Sequence, residues 1–267
     1  MNKTYSNENN FGKIKILKVG FNNLNYDQVL EYLLKTLKEY NKNQYFVTPN
    51  PELLVIADSN NSYEKVLNSA DLALADGVGV VWASNLLGRP LNDRIPGADL
   101  MENLCRDVAD RPIIVGFLGG GPGIAEKTSE CLRKKYPSLK VSLTFEGGPD
   151  DKTLDYIKKE IKNKDDKKLD ILFVAFGSPK QEIWISENLK DLPAKVTIGV
   201  GGAFDFNSGK VKRAPAGIRK LGLEWLFRLI TQPWRIKRQL SLLTFIYLVF
   251  RDKLFAQKDS KSYNTTI

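Results

Sequence analysis

Asp76 ends the apolar run Asp71-Leu-Ala-Leu-Ala75 and stands beside Gly77 and Gly79, a carboxylate placed where a strand gives way to a helix. A carboxylate in such a cleft can act as a general base. It can equally cap a helix over residues 80–87, and chemistry alone leaves the two even. Asn50 carries the same ambiguity, because Pro51 suits a first helical position and makes Asn50 a natural cap. Gln181 does too, since Ser178-Pro-Lys-Gln181 matches a capping box. Thr48, held extended by Pro49, has no capping role. Arg94 lies in a loop bounded by Pro and Gly that can aim a guanidinium rigidly. The turn Gly119-Gly-Gly-Pro-Gly123 follows a strand and opens a helix over 124–136, a setting that suits a diphosphate.

The chain of 267 residues has no histidine, and its two cysteines, Cys105 and Cys131, share no metal spacing. Ser–His and Cys–His relays are thereby excluded, and a zinc site is not expected. No DxD triplet or carboxylate cluster occurs. The expectation is no metal and no cofactor, with Arg, Lys and helix N-termini handling phosphate.

These residues need elements to hold them. Strands are expected over residues 14–21, 45–48, 71–75, 112–118, 140–145, 169–176 and 196–200. Between them lie helix-period stretches such as 26–40, where Asn25 and Gln28 form a candidate capping box. Alternation of this kind gives an α/β fold, a doubly wound, mostly parallel Rossmann-like sheet. Ligands then gather beyond the carboxyl ends of the strands, where the motifs above fall. The catalytic α/β domain is expected over 1–206. Residues 207–267 form a basic amphipathic, helical C-terminal appendage, with helices over 218–230 and 234–254.

Composition sets the class. Hydrophobic residues are 42% and charged residues 27%, a globular balance. Net charge is +9, yet residues 1–209 hold 27 Lys/Arg against 28 Asp/Glu, and residues 210–267 hold 13 against 3. The positive excess belongs to the appendage and points to an anionic partner. The polar segment 1–10 has no signal-peptide core, so a cytoplasmic location is expected. The apolar run 240–250 is too short to span a bilayer. It either packs on the core or lies in the headgroup region.

Several motifs act together as a signature. Thr48-Pro-Asn-Pro-Glu52, Ala75-Asp-Gly-Val-Gly-Val-Val-Trp82, Arg94-Ile-Pro-Gly-Ala-Asp99, Gly177-Ser-Pro-Lys-Gln-Glu182 and Gly201-Gly-Ala-Phe-Asp-Phe206 occur in order. Arg213-Ala-Pro215, Leu221-Gly-Leu-Glu-Trp-Leu226 and Pro233-Trp-Arg-Ile-Lys-Arg238 follow. Together they resemble the WecG/TagA/CpsF glycosyltransferases. The resemblance implies transfer of a sugar, often N-acetylmannosamine, from a UDP donor to a polyprenyl-diphosphate-linked GlcNAc-type acceptor. That reaction serves surface polymers such as teichoic acid at the inner face of the cell membrane. It also implies Asp76 as base on the acceptor hydroxyl, with Thr48, Asn50, Arg94 and Gln181 lining the pocket. Arg228, Arg235 and Arg238 belong to the appendage that the family folds over its site. One departure is Glu146-Gly-Gly-Pro-Asp150, where many relatives have His-Gly-aromatic.

The expected enzyme is therefore an inverting, metal-independent transferase. UDP is expected over Gly119, Gly120, Gly121, Gly123, Gly177 and Lys180, with the appendage arginines at the leaving diphosphate and an anionic membrane surface as partner. No nucleic-acid partner is expected, and a homo-oligomer is compatible with the sequence. Two rivals are a nicotinamide-dependent oxidoreductase using the Gly-rich turn, with Glu146 at the ribose, and a nucleic-acid binder using the basic tail.

Overall fold

A computed structural model describes residues 11–163 and 168–263. The segment 1–10 and residues 164–167 of the mixed-charge run 162–168 lie outside the described residues. Six parallel strands form the central sheet: β3 (Gln44–Val47), β4 (Leu72–Ala73), β5 (Ile114–Gly119), β6 (Lys140–Phe145), β7 (Leu169–Ala175) and β8 (Ala194–Gly199). Their spatial order is β4-β3-β8-β7-β5-β6. β7 is buried along its whole length, as its apolar run requires of a strand covered on both faces. One core cluster on each face, built around Phe173 on one side and Leu172 on the other, closes the two layers.

The expected strand over 14–21 is instead a hairpin, β1 (Lys13–Ile16) and β2 (Val19–Asn22), antiparallel and outside the main sheet. Leu17 turns the chain with φ 52°. Asn22 of this hairpin accepts a hydrogen bond from the Ala73 amide at 2.9 Å, covering the two-residue edge strand β4. Such cover protects an exposed sheet edge.

Helices α1 (Tyr26–Lys38), α2 (Pro51–Ser59), α3 (Asn61–Asn68), α4 (Val78–Leu86), α5 (Gly97–Val108), α6 (Ile124–Lys135), α7 (Asp151–Asn163) and α8 (Lys180–Asn188) flank the sheet. The Asn25–Gln28 box caps α1, each side chain bonding the other's amide at 3.0 and 2.9 Å. After α9 (Ala203–Asn207) the appendage begins. Its helix over 218–230 is two helices, α10 (Ala216–Lys220) and α11 (Glu224–Thr231). Gly222 breaks them with φ +74°, and a Cβ there would lie 2.1 Å from Val78 Cγ1. Only glycine permits that backbone and that approach.

A short 3-10 turn, Pro233–Arg235, then leads into α12 (Ile236–Tyr263). Phe245, Leu248 and Val249 of α12 are buried in the core cluster that also holds Leu53 and Leu54 of α2. Each such side chain stabilises the docked helix by roughly 1.5–3 kcal/mol. Of the two fates open to run 240–250, its inner face packs on the core. Leu240, Leu243 and Tyr247 stay exposed.

Candidate active site

The carboxyl ends of the strands and the appendage enclose one cavity of about 1060 Å³. Thr48, Asn50, Asp76, Arg94, Gln181, Gly120, Gly121 and Gly177 all line it, as do Arg228, Arg235 and Arg238 from the appendage. Gly119, Gly123 and Lys180 do not line it, and Lys180 is exposed.

Asp76 is not a cap. α4 begins after Gly77, with no side-chain hydrogen bond at its N-cap. The Asp76 amide donates to the Pro49 carbonyl at 3.0 Å, tying the β3 and β4 exits together. Its carboxylate accepts from the Gly97 amide. Gly97 is buried, and a Cβ there would sit 2.9 Å from Thr48 Oγ1, so glycine allows three segments to meet around this carboxyl. Burial pushes the Asp76 pKa up to about 6, and the charges of Glu224 and Asp99 add to the rise. The Gly97 amide and Arg94 oppose it. A carboxylate poised near neutrality suits proton abstraction at physiological pH.

Asn50 does cap: its Oδ1 accepts from the Leu53 amide at 3.2 Å. It also faces the cavity, so the structure realises the capping role without removing the other. The capping box at Ser178 and Gln181 does not form, because α8 starts at Lys180 and no side chain caps it. Gln181 bridges strand exits instead. Its Oε1 accepts from the Gly201 amide at 3.1 Å, and its Nε2 donates to Glu182 Oε1 at 2.7 Å. Ser178 Oγ and Tyr63 Oη donate to the same buried Glu182 carboxyl at 2.7 and 3.2 Å. Burial raises the Glu182 pKa. Arg94 donates through Nη2 to the Arg219 carbonyl, joining its loop to α10.

At the Gly-rich turn, the Gly123 amide donates to Glu146 Oε2 at 2.9 Å. Gly119 packs against Ala175 and Phe176. The α6 N-terminus thus already faces a carboxylate, while Gly120 and Gly121 remain on the cavity wall.

Positive charge comes from the appendage. Arg228 and Arg235 each bury an Nε that has no hydrogen-bond partner among the described residues. Burial first, and then the like charges of Arg228 and Arg238, lower the Arg235 pKa to about 10. Burial also lowers that of Arg228, helped by Arg238. Three guanidiniums gathered against their mutual repulsion are an arrangement that a bound anion would relieve of both costs. Arg213 and Arg228 sit 5.6 and 4.9 Å from the Phe206 ring centroid. Arg213 also pairs with Asp99 at 2.6 Å and Glu224 at 3.5 Å, tethering α11 to α5. Arg238 forms a two-pronged pair with Glu52, with contacts of 2.6 to 3.0 Å. Glu52, Glu224 and Phe206 are cavity residues that sequence reasoning did not single out; each lies within a quoted motif, the one signal that marked them.

Comparison with known proteins gives the family. A relative from Bacillus spizizenii (strain W23) is 35% identical over 232 residues, covering 86% of this chain and 87% of its own. A relative from Staphylococcus aureus (strain MRSA252) is 34% identical over 251 residues, covering 94% and 97%. Each is named an N-acetylglucosaminyldiphosphoundecaprenol N-acetyl-beta-D-mannosaminyltransferase. The profile described as "Glycosyl transferase WecG/TagA/CpsF family" matches residues 14–259. With the signature motifs gathered around one cavity and nearly the whole chain matched, this protein belongs to the WecG/TagA/CpsF glycosyltransferase family.

Proposed function

We propose that the chain transfers N-acetylmannosamine, or a closely related sugar, from a UDP donor to a GlcNAc-diphosphate-polyprenol with inversion. The observation that carries this reading is one cavity lined by both a carboxyl with a pKa of about 6 and three arginines of the appendage. Asp76 takes the proton of the acceptor hydroxyl as its oxygen bonds to the anomeric carbon. The bond from that carbon to the donor diphosphate breaks, and UDP leaves with the electron pair. Arg228, Arg235 and Arg238 offset the growing negative charge. Glu146 at the Gly123 amide favours placing the diphosphate at the arginines rather than on the Gly-rich turn. Gly120, Gly121 and Gly177 are then left to the rest of the nucleotide.

The oxidoreductase and nucleic-acid readings are not favoured by the family match. UDP is expected to raise the Tm, whereas NAD and an oligonucleotide are not. Among the described residues no three His, Cys, Asp or Glu side chains converge as a metal site. Activity is therefore expected to survive EDTA, and loss in EDTA with rescue by Mg²⁺ or Mn²⁺ would count against the arginines as the charge-bearing groups.

The same reading places the enzyme on the inner membrane face. Among the described residues no helix is long and apolar enough to cross a membrane. Leu221, Ile230 and Trp234 are each more than 70% exposed. Most appendage arginines are engaged, Arg219 by Asp99, Arg238 by Glu52 and Arg251 by Asp58. Apolar insertion then outweighs charge, with exposed Lys212 and Lys220 adding roughly 1 kcal/mol each near an anionic leaflet. Ile230→Ser with Trp234→Ser is expected to cut flotation with anionic liposomes by about 10-fold or more, since each buried apolar side chain is worth roughly 1.5–3 kcal/mol. Unchanged flotation would remove the membrane role of this surface.

A further inference from the structure

The two sides of the cavity differ in chemistry. Asp76, Arg94 and the three appendage arginines form one side. The other is apolar: Val78 and Trp82 from α4, with Leu242, Phe245 and Ile246 from α12. Phe245 is buried, whereas Val78, Trp82 and Ile246 keep 37%, 42% and 42% of their surface exposed. A nucleotide and two sugars are mostly polar and leave much of this apolar wall without a partner. Contiguous exposed apolar surface on a soluble fold marks a binding site.

Its layout relative to the charges identifies the ligand. Arg238, Leu242, Ile246 and Phe250 recur at four-residue spacing, so they follow one another along the same side of α12. From Arg238 the stripe rises about 18 Å to Phe250. Phe250 meets the Trp82 ring edge-on with centroids 6.2 Å apart, so α4 and α12 share the outer end. A cation at the inner end and an apolar track leading outward match a diphosphate joined to a hydrocarbon chain. A bilayer surface cannot enter the cavity, and the exposed Leu221, Ile230 and Trp234 do not line it.

Resting on the transferase reading above, we propose that the α4–α12 wall, with Trp82, Ile246 and Phe250 at its outer end, binds the diphosphate-proximal isoprene units of the acceptor. It thereby selects a prenyl-linked diphosphate over a soluble sugar diphosphate. Burying even a few carbons of each unit there contributes enough that KM should depend steeply on chain length until the track is filled.

The test uses the full chain and GlcNAc-diphosphate acceptors carrying one, two or three isoprene units, kept below aggregation, without vesicles or detergent. For the wild type, acceptor KM is expected to fall by about 10-fold or more from one unit to three, as burial of several methylenes implies, with kcat little changed. In Trp82→Ala and in Ile246→Ser, on separate helices, this dependence should flatten to about 3-fold or less. The UDP-induced rise in Tm reports that each variant is folded. Full chain-length dependence in both variants overturns the proposal, even if they bind liposomes less well, because the face would then be a membrane contact only. Transfer that is active but indifferent to chain length in the wild type overturns it too. No transfer by the wild type to any of these acceptors overturns the transferase reading itself.

Discussion

Replacing Asp76 with Asn is expected to lower turnover by about 10²–10⁴-fold, the usual cost of losing a general base, while UDP affinity stays close to normal. The carboxyl bonds the Gly97 amide, and the donor diphosphate is assigned to the arginines, so the change falls on kcat more than on donor binding. The pH profile carries the same signature. A base works only when ionised, and Asp76 titrates near pH 6. Wild-type kcat/KM should therefore climb as pH rises through about 6 and level off above it. The Asn variant's residual rate should lack that limb.

Stability should move the other way. The folded pKa lies above the ordinary aspartate value of 3.8, so the protein gives up stability as pH rises from about 4 to about 6. The neutral Asn variant escapes this loss, and its Tm at pH 7.5 is expected to match or exceed the wild type's. A large fall in Tm, or intact turnover, would return Asp76 to a structural role.

The second large effect is expected at the appendage. Arg228→Ala and Arg235→Ala should each cost about 10²–10³-fold in kcat, the range seen when one group stabilising a developing anion is removed. Both should also weaken UDP binding. The charge of Arg228 helps depress the Arg235 pKa and both are assigned to one diphosphate, so the double variant should lose less than the product of the single losses. Arg235→Lys should recover part of the rate, because a point charge replaces a planar, forked donor. Steady-state kinetics with UDP binding measured in parallel separates these outcomes. Near-wild-type rates in both single variants would place the leaving diphosphate elsewhere.

How far these features could be read in advance depended on whether the deciding contact was local. The runs of β5 and β7 are legible because a strand covered on both faces must be apolar throughout. The Asn25–Gln28 box is legible because both partners lie within one turn. The hairpin at Leu17 was not, since Leu17-Lys18 lacks the Asn-Gly or Asp-Gly chemistry that marks such turns. Ser178 and Gln181 match a cap by spacing, yet the buried Glu182 and the Gly201 amide claim their polar atoms. Asp76 could not be resolved from its own neighbours, because Gly77 takes the cap position and Gly97, far along the chain, bonds its carboxylate. The Arg238–Glu52 pair spans 186 residues and has no local sign at all. Recognition of the site thus came from the joint order of the motifs, and its electrostatics from the fold.

The transfer reaction itself bears most directly on Asp76 and the arginines sharing one substrate. Wild-type protein would be given UDP-α-N-acetylmannosamine and a short-chain prenyl-diphosphate-GlcNAc in EDTA, and the anomeric configuration of the product determined. The expected result is a β-linked disaccharide on the prenyl diphosphate, with UDP released in equal amount. An α-linked product, a requirement for added divalent metal, or no product from any UDP-sugar would contradict it.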